Sequence, residues 1–209
     1  MFELQLPTKV GGTANLDGYF ENEKHIFVEA KCREPYGIKT NEFGDKYYDL
    51  YNYINKSAES NVFCDTKEIP EKKKITADFS VKINDELPLE AITHFDIKQM
   101  ISHLLGIGVA ILKDKKYLDK PIKFLYLIYD PGVLNFKDSE TYDKIVNIHG
   151  KTCCECESVD FKGLFRVILE FLQKEYKYDS DIDIDRIIDN FSFEICSQND
   201  FVKKISNRY

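Results

Sequence analysis

Residues 15–37 read NLDGYFENEKHIFVEAKCREPYG. Two short apolar stretches, 15–21 and 25–33, flank the polar turn ENEK, which is the pattern of a β-hairpin. Within the second stretch, HIFVEAKCR, side chains alternate between faces. Ile26, Val28, Ala30 and Cys32 form an apolar face suited to the core. Phe27, Glu29, Lys31 and Arg33 share the other, so a carboxylate and an ammonium point the same way two residues apart. Such charges are seldom buried unless paired. Asp17 joins them in one register only. If residues 22–24 form the loop, Glu21 faces His25 and Asp17 falls opposite Glu29. A two-residue loop would send Asp17 to the wrong side.

The elements around this hairpin set the fold class. FELQLP at 2–7 alternates and ends at Pro7, and Gly11-Gly12 turns the chain into residues 15–21. Residues 2–33 thus form an antiparallel meander of three strands. Residues 94–113, HFDIKQMISHLLGIGVAILK, carry Ile97, Ile101, Leu104, Leu105 and Val109 at helical spacing, with Thr93 or Asp96 as the N-cap. IKFLYLIY at 122–129 is a continuous apolar run, as expected of a strand covered on both faces. Phe161–Tyr176 reads as a second helix and FSFEIC, 191–196, as a late strand. The expected class is α/β or α+β: a mixed sheet with an antiparallel meander, a crossover helix and a further strand, flanked by helices.

The chain reads as one domain over 1–209, with an insertion at about 34–92 and a helical C-terminal region at about 138–209. In the insertion, DKYYDLYNYINKSAES is expected to be helical. Residues 61–89 are expected to form a loop or small helices. DSDIDIDRIID at 179–189 lacks the central Gly and terminal Glu of a calcium loop and reads as a solvated acidic turn.

Composition narrows the functional classes. The chain is 43% hydrophobic and 31% charged, with a net charge of −7, so it is not a non-specific nucleic-acid coat. Lys72–Lys74 and Lys203, Lys204 and Arg208 read as ordinary surface. No signal sequence or spanning segment is legible, and the expected location is cytoplasmic. The six cysteines then read as free thiols. Cys153, Cys154 and Cys156 in TCCECES lack paired zinc spacing and read as a turn, with a zinc site as the lesser alternative.

Two carboxylates a few ångströms apart stay ionised together around a hard divalent cation. Mg²⁺ suits oxygen ligands and leaves positions to water and phosphate. Metal lowers the pKa of a bound water and neutralises charge on phosphate, and Lys31 can orient that water, take part in its deprotonation or stabilise the pentavalent phosphorus. Asp17, Glu29 and Lys31 are thus candidates for phosphodiester chemistry. The competing interpretation of Glu-x-Lys is a salt bridge on an open strand face.

Asn15-Leu16-Asp17 followed by Glu29-Ala30-Lys31 resembles the PD-(D/E)xK nuclease superfamily. The wider string, GGTANLDGYF then FVEAKCREPYG, is similar to a prokaryotic restriction-endonuclease-like family within it. The specific resemblance covers about residues 10–37 and extends loosely through 129. Leu16 stands where the family name has proline. Relatives often carry a helix before the first strand that brings an extra Glu; here Glu3 is the only acid upstream of Asp17. The resemblance implies a restriction-endonuclease-like core and metal-dependent hydrolysis of DNA. It implies Mg²⁺, or Mn²⁺ in its place, on Asp17 and Glu29, with Lys31 catalytic. The superfamily helix often carries Gln with a polar or aromatic residue four positions on, which picks out Gln99 as a catalytic support and His103 as a phosphate contact. Arg33 and Tyr36 are further candidate substrate contacts. A homodimer would supply two sites for double-strand cutting. The alternatives are a catalytically inactive nuclease-like module that binds nucleic acid or protein, and an unrelated enzyme or structural domain with a chance salt bridge.

Overall fold

The computed structural model describes residues 2–31, 42–83, 89–128, 139–178, 181–197 and 200–201. The central sheet has the order β1-β2-β3-β8-β9. Its meander is β1 (Phe2–Pro7), β2 (Thr13–Glu21) and β3 (His25–Lys31), all antiparallel. β8 (Ile122–Ile128) and β9 (Phe191–Ser197) continue the sheet parallel to β3. β8 is buried along nearly its whole length, which is why its sequence is apolar without alternation. The architecture is mixed α/β, as the order of patterns predicts.

The hairpin register pairs Glu21 with His25, so residues 22–24 form the loop. The ladder breaks at Asp17. β1 pairs with β2 at Gly18 and again from Leu16 to Thr13, skipping Asp17, and Glu3 opposite the gap has a left-handed φ of 57°. Leu16 and Phe27 both lie in the main core, although unbroken alternation in this register would place them on opposite faces.

Helix α2 (Ile97–Lys113) crosses from the second sheet back to β8 and packs on β1, β2 and a later helix, α4 (Phe161–Tyr176). It is buried on both sides, and two glycines let its neighbours approach. A Cβ at Gly106 would lie 2.7 Å from Ala14 Cβ and 2.9 Å from Leu6 Cβ. A Cβ at Gly108 would meet Leu172 and Leu169 of α4 at 2.9 and 3.3 Å. Residues two apart on a helix point roughly 200° apart, so one glycine serves the sheet and the other serves α4.

Several expectations change. The charged face of β3 is not open: Phe27, Glu29 and Lys31 point into the larger core beneath α2. Val28 faces a smaller cluster with Leu125 and Cys196. The described part of 61–89, residues 61–83 and 89, is mainly strand rather than a loop or small helices. It holds a hairpin of β5 (Val62–Ile69) and β6 (Lys74–Val81) in a second sheet ordered β4-β6-β5, with β4 at Glu42–Gly44 and β7 (Glu90–Ala91) on β6. Ile75, Ala77, Phe79 and Val81 alternate inward along β6. The turn before it carries Lys73 at φ 49°, without the glycine or asparagine that announces a left-handed position. Helix α1 (Tyr48–Lys56) packs on β5, and one continuous core joins both sheets.

TCCECES is not a turn but part of α3 (Ser139–Ser158). Thr152, Cys156 and Val159 are buried at helical spacing, so Cys156 acts as a small core hydrophobe. The acidic stretch is only partly a turn: Asp183 caps α5 (Ile184–Asp189), which buries Ile187 and Ile188. Among the described residues, no helix is long and apolar enough to cross a membrane.

Candidate functional site

Glu29 and Lys31 sit on β3 beneath the first turns of α2, 3% and 6% exposed. Lys31 Nζ lies 2.8 Å from Glu29 Oε1. Gln99 closes a triangle: its Nε2 donates to Glu29 Oε1 at 2.9 Å, and its Oε1 accepts a hydrogen bond from Lys31 Nζ. Only this amide orientation gives the carboxylate a donor and the ammonium an acceptor. His103 comes from one turn further along α2. It is 1% exposed, and its Nε2 lies 3.1 Å from Glu29 Oε2. The approach is off the axis of a hydrogen bond, so Glu29 Oε2 and both His103 ring nitrogens lack an aligned partner among the described residues. His103 therefore faces Glu29 rather than an open surface.

The expected Asp17–Glu29 pair does not form in the ladder, which ends at Gly18–Val28; Asp17 is exposed where Glu29 is buried, and it reaches this group through the main chain. Its Oδ2 accepts the N–H of Ala30, the residue between Glu29 and Lys31, at 2.7 Å. The carboxylate takes a position just beyond the end of the β2–β3 ladder, where a β2 carbonyl would sit if the ladder continued. Arg33 and Tyr36 lie outside the described residues.

Burial pushes the Glu29 carboxyl up, but the adjacent His103 and Lys31 more than offset it and hold the group below its ordinary 4.5. Glu29 is thus an anion at neutral pH, as a hard-cation ligand must be. Among the described residues, no three His, Cys, Asp or Glu side chains gather as a metal-binding group. Of the two candidate ligands, Asp17 is exposed and Glu29 enclosed, with the Ala30 main chain between them. Glu29 Oε2 is a buried oxygen with His103 Nε2 at 3.1 Å, so an octahedral ion would take it in place of that contact and draw its remaining ligands from water and phosphate.

The start of α2 is fixed from a distance. Asp96 caps it by accepting the Gln99 N–H at 3.1 Å. Before that cap, Glu155 Oε2 accepts the N–H groups of Thr93, His94 and Phe95 at 3.1, 2.7 and 2.7 Å. These bonds hold the Glu155 carboxyl below its usual value despite burial, which acts the other way. Sequence reasoning missed Glu155 because attention in TCCECES fell on the cysteines.

A cleft of about 480 Å³ opens beside Gln99 and His103, between β2, the β4 segment and α2. Its walls include Asn15, Tyr47, Lys98 and Ser102, which sequence reasoning also missed. Lys98 and Ser102 flank Gln99 on the helix, and that proximity was the available signal. No family model, no curated protein and no solved structure matches this chain.

Proposed function

We propose that the protein is a metal-dependent nuclease of the PD-(D/E)xK type with a restriction-endonuclease-like core, hydrolysing phosphodiester bonds in DNA. The observation that carries this reading is the Glu29–Lys31–Gln99 triangle, with the Asp17 carboxylate on the Ala30 N–H between the two charged residues. A chance surface salt bridge would lie on an open strand face. This pair is enclosed, and an enclosed ion pair is a poor source of stability, which favours a chemical role.

Asp17 and Glu29 would hold Mg²⁺ or Mn²⁺. When bound, such an ion supplies a water of lowered pKa and neutralises charge on the phosphate. Lys31 keeps a fixed ammonium beside the reacting phosphate, where it orients the attacking water and stabilises negative charge as it develops. Gln99 holds Lys31 and Glu29 in register, so neither charge reorients during reaction. His103 stands behind Glu29 as a second positive partner when protonated.

A second reading keeps the fold but not the chemistry: an inactive nuclease-like module that binds nucleic acid or protein. The engagement of Lys31 favours it, since its ammonium is already bound to Glu29 and Gln99. Calorimetric titration with Mg²⁺ and Mn²⁺ separates the two, with and without a DNA oligonucleotide. Binding that disappears in Asp17→Asn and Glu29→Gln, with cleavage that depends on Lys31, supports the nuclease. A folded wild type that neither binds metal nor cleaves leaves the binding module.

A further inference from the structure

The cleft beside the triangle has walls on opposing sides and a compact volume of about 480 Å³. That is the size range of small-molecule sites, not of a groove that cradles a continuous duplex. Its chemistry selects among occupants. Its charged lining is Glu42, Asp96 and Lys98, two carboxylates to one ammonium: Glu42 binds Lys74 at 2.8 Å and Lys72 at 3.7 Å, Asp96 accepts the Gln99 N–H, and Lys98 Nζ donates to the Glu42 main-chain oxygen at 3.0 Å. The neutral polar wall is the Asn15 amide, the Ser102 hydroxyl, shared with the Tyr47 hydroxyl at 2.9 Å, and the edge of Gln99, whose amide is engaged by Glu29 and Lys31. Phe43 and Tyr47 back it with apolar area. A wall of this kind matches the donors and acceptors of a heterocyclic base better than a phosphate or carboxylate, either of which calls for cationic partners.

A second observation points inward as well. His103 lines the cleft at 1% exposure; its Nε2 lies 3.1 Å from Glu29 Oε2, and its Nδ1 has no hydrogen-bond partner among the described residues. A buried polar group left in this state awaits a ligand or water. Gln99 belongs to both places: it lines the cleft and bridges Glu29 to Lys31. An occupant of the cleft therefore sits one side chain from the proposed reacting phosphate.

Resting on the nuclease reading, we infer that the cleft receives one unstacked base of the substrate strand next to the scissile phosphate, so that the preferred substrate is single-stranded or frayed nucleic acid. Extracting a base from duplex costs unpairing and unstacking energy that a single strand does not incur.

Gly44 supplies the decisive variant. It lines the cleft, its φ is −66°, and a Cβ added there would meet nothing within 4 Å. Gly44→Leu narrows the cleft without backbone strain and without touching the triangle. Wild type should show kcat/KM at least about tenfold higher on a short single-stranded oligonucleotide than on the same sequence paired. Gly44→Leu should lose most of that preference while staying folded. In a metal-free NMR titration, 2′-deoxyadenosine and thymidine should shift the side-chain amide resonances of Asn15 and Gln99 in wild type but not in Gly44→Leu. Equal cleavage of both substrate forms by wild type and Gly44→Leu would overturn the base pocket and leave the nuclease reading standing. Nucleoside binding in the cleft with no cleavage of any strand would support the pocket and overturn the nuclease reading.

Discussion

At the scale of single residues, Lys31 and Glu29 are bound to each other in stability as well as in chemistry. Read from sequence, Lys31 is a catalytic group that a variant could lose with the fold intact. Its burial changes that expectation. Lys31→Ala should lower cleavage by about 10²-fold, the usual cost of one transition-state electrostatic group. It should also destabilise the protein by about 3 kcal/mol, because the enclosed Glu29 loses a counter-charge. Urea unfolding measured beside the kinetics separates the two losses. Glu29 also gives stability a pH dependence of definite sign. Its carboxyl is depressed in the folded state, so its contribution is fully present above 4.5 and drains away as pH falls through the lower folded value. Unfolding free energy measured from pH 7 downward should fall more steeply below pH 4.5 in wild type than in Glu29→Gln. Parallel curves would show that the carboxylate is not held ionised.

At the scale of elements, the placement of α2 decides whether the site exists. Three backbone N–H groups before the helix depend on Glu155 of α3. Glu155→Ala strands them and should cost about 2 kcal/mol, with Glu155→Gln falling between because a neutral oxygen still accepts. Chemical denaturation of the three proteins orders them. The seat of α2 on the meander is tested by Gly106→Ala. Helix propensity alone predicts a gain of about 1 kcal/mol. The approach of Ala14 and Leu6 below 3 Å predicts a loss of about 2 kcal/mol from overpacking instead. A gain in measured stability would show that the helix rides further from the sheet. Much of this level was legible in sequence. The continuous run of β8, the alternation of β1 and the periodicity of α2 each follow from how many faces the element buries. The β5–β6 hairpin was missed although Ile75, Ala77, Phe79 and Val81 alternate cleanly. Its partner strand is half polar, and its turn lacks the usual residues.

At the scale of the whole molecule, two sheets share one core, and the cleft lies where the second sheet meets α2 and β2. Metal binding should register as global stabilisation, because a ligand that binds only the folded state adds its binding free energy. With Mg²⁺ at one hundred times its dissociation constant, the gain is about 2.7 kcal/mol. It should appear as a raised Tm in wild type and vanish in Asp17→Asn, measured by calorimetry at constant ionic strength. An equal rise in both would mark the effect as general salt stabilisation.

The sequence by itself determined the meander and the candidacy of Asp17, Glu29 and Lys31, while Gln99 entered through the family resemblance and the three-residue loop was fixed by the structure. The meander and the charged strand follow from local rules: alternation along a strand and turn chemistry. Only the tertiary structure decided that the charged face of β3 is enclosed, because burial depends on what is packed above a strand. Only it set His103 against Glu29 and Glu155 against the start of α2, since those partners lie 74 and 61 residues apart in the chain. The cleft, too, exists only where segments distant in sequence meet, and no local pattern encodes the space between them.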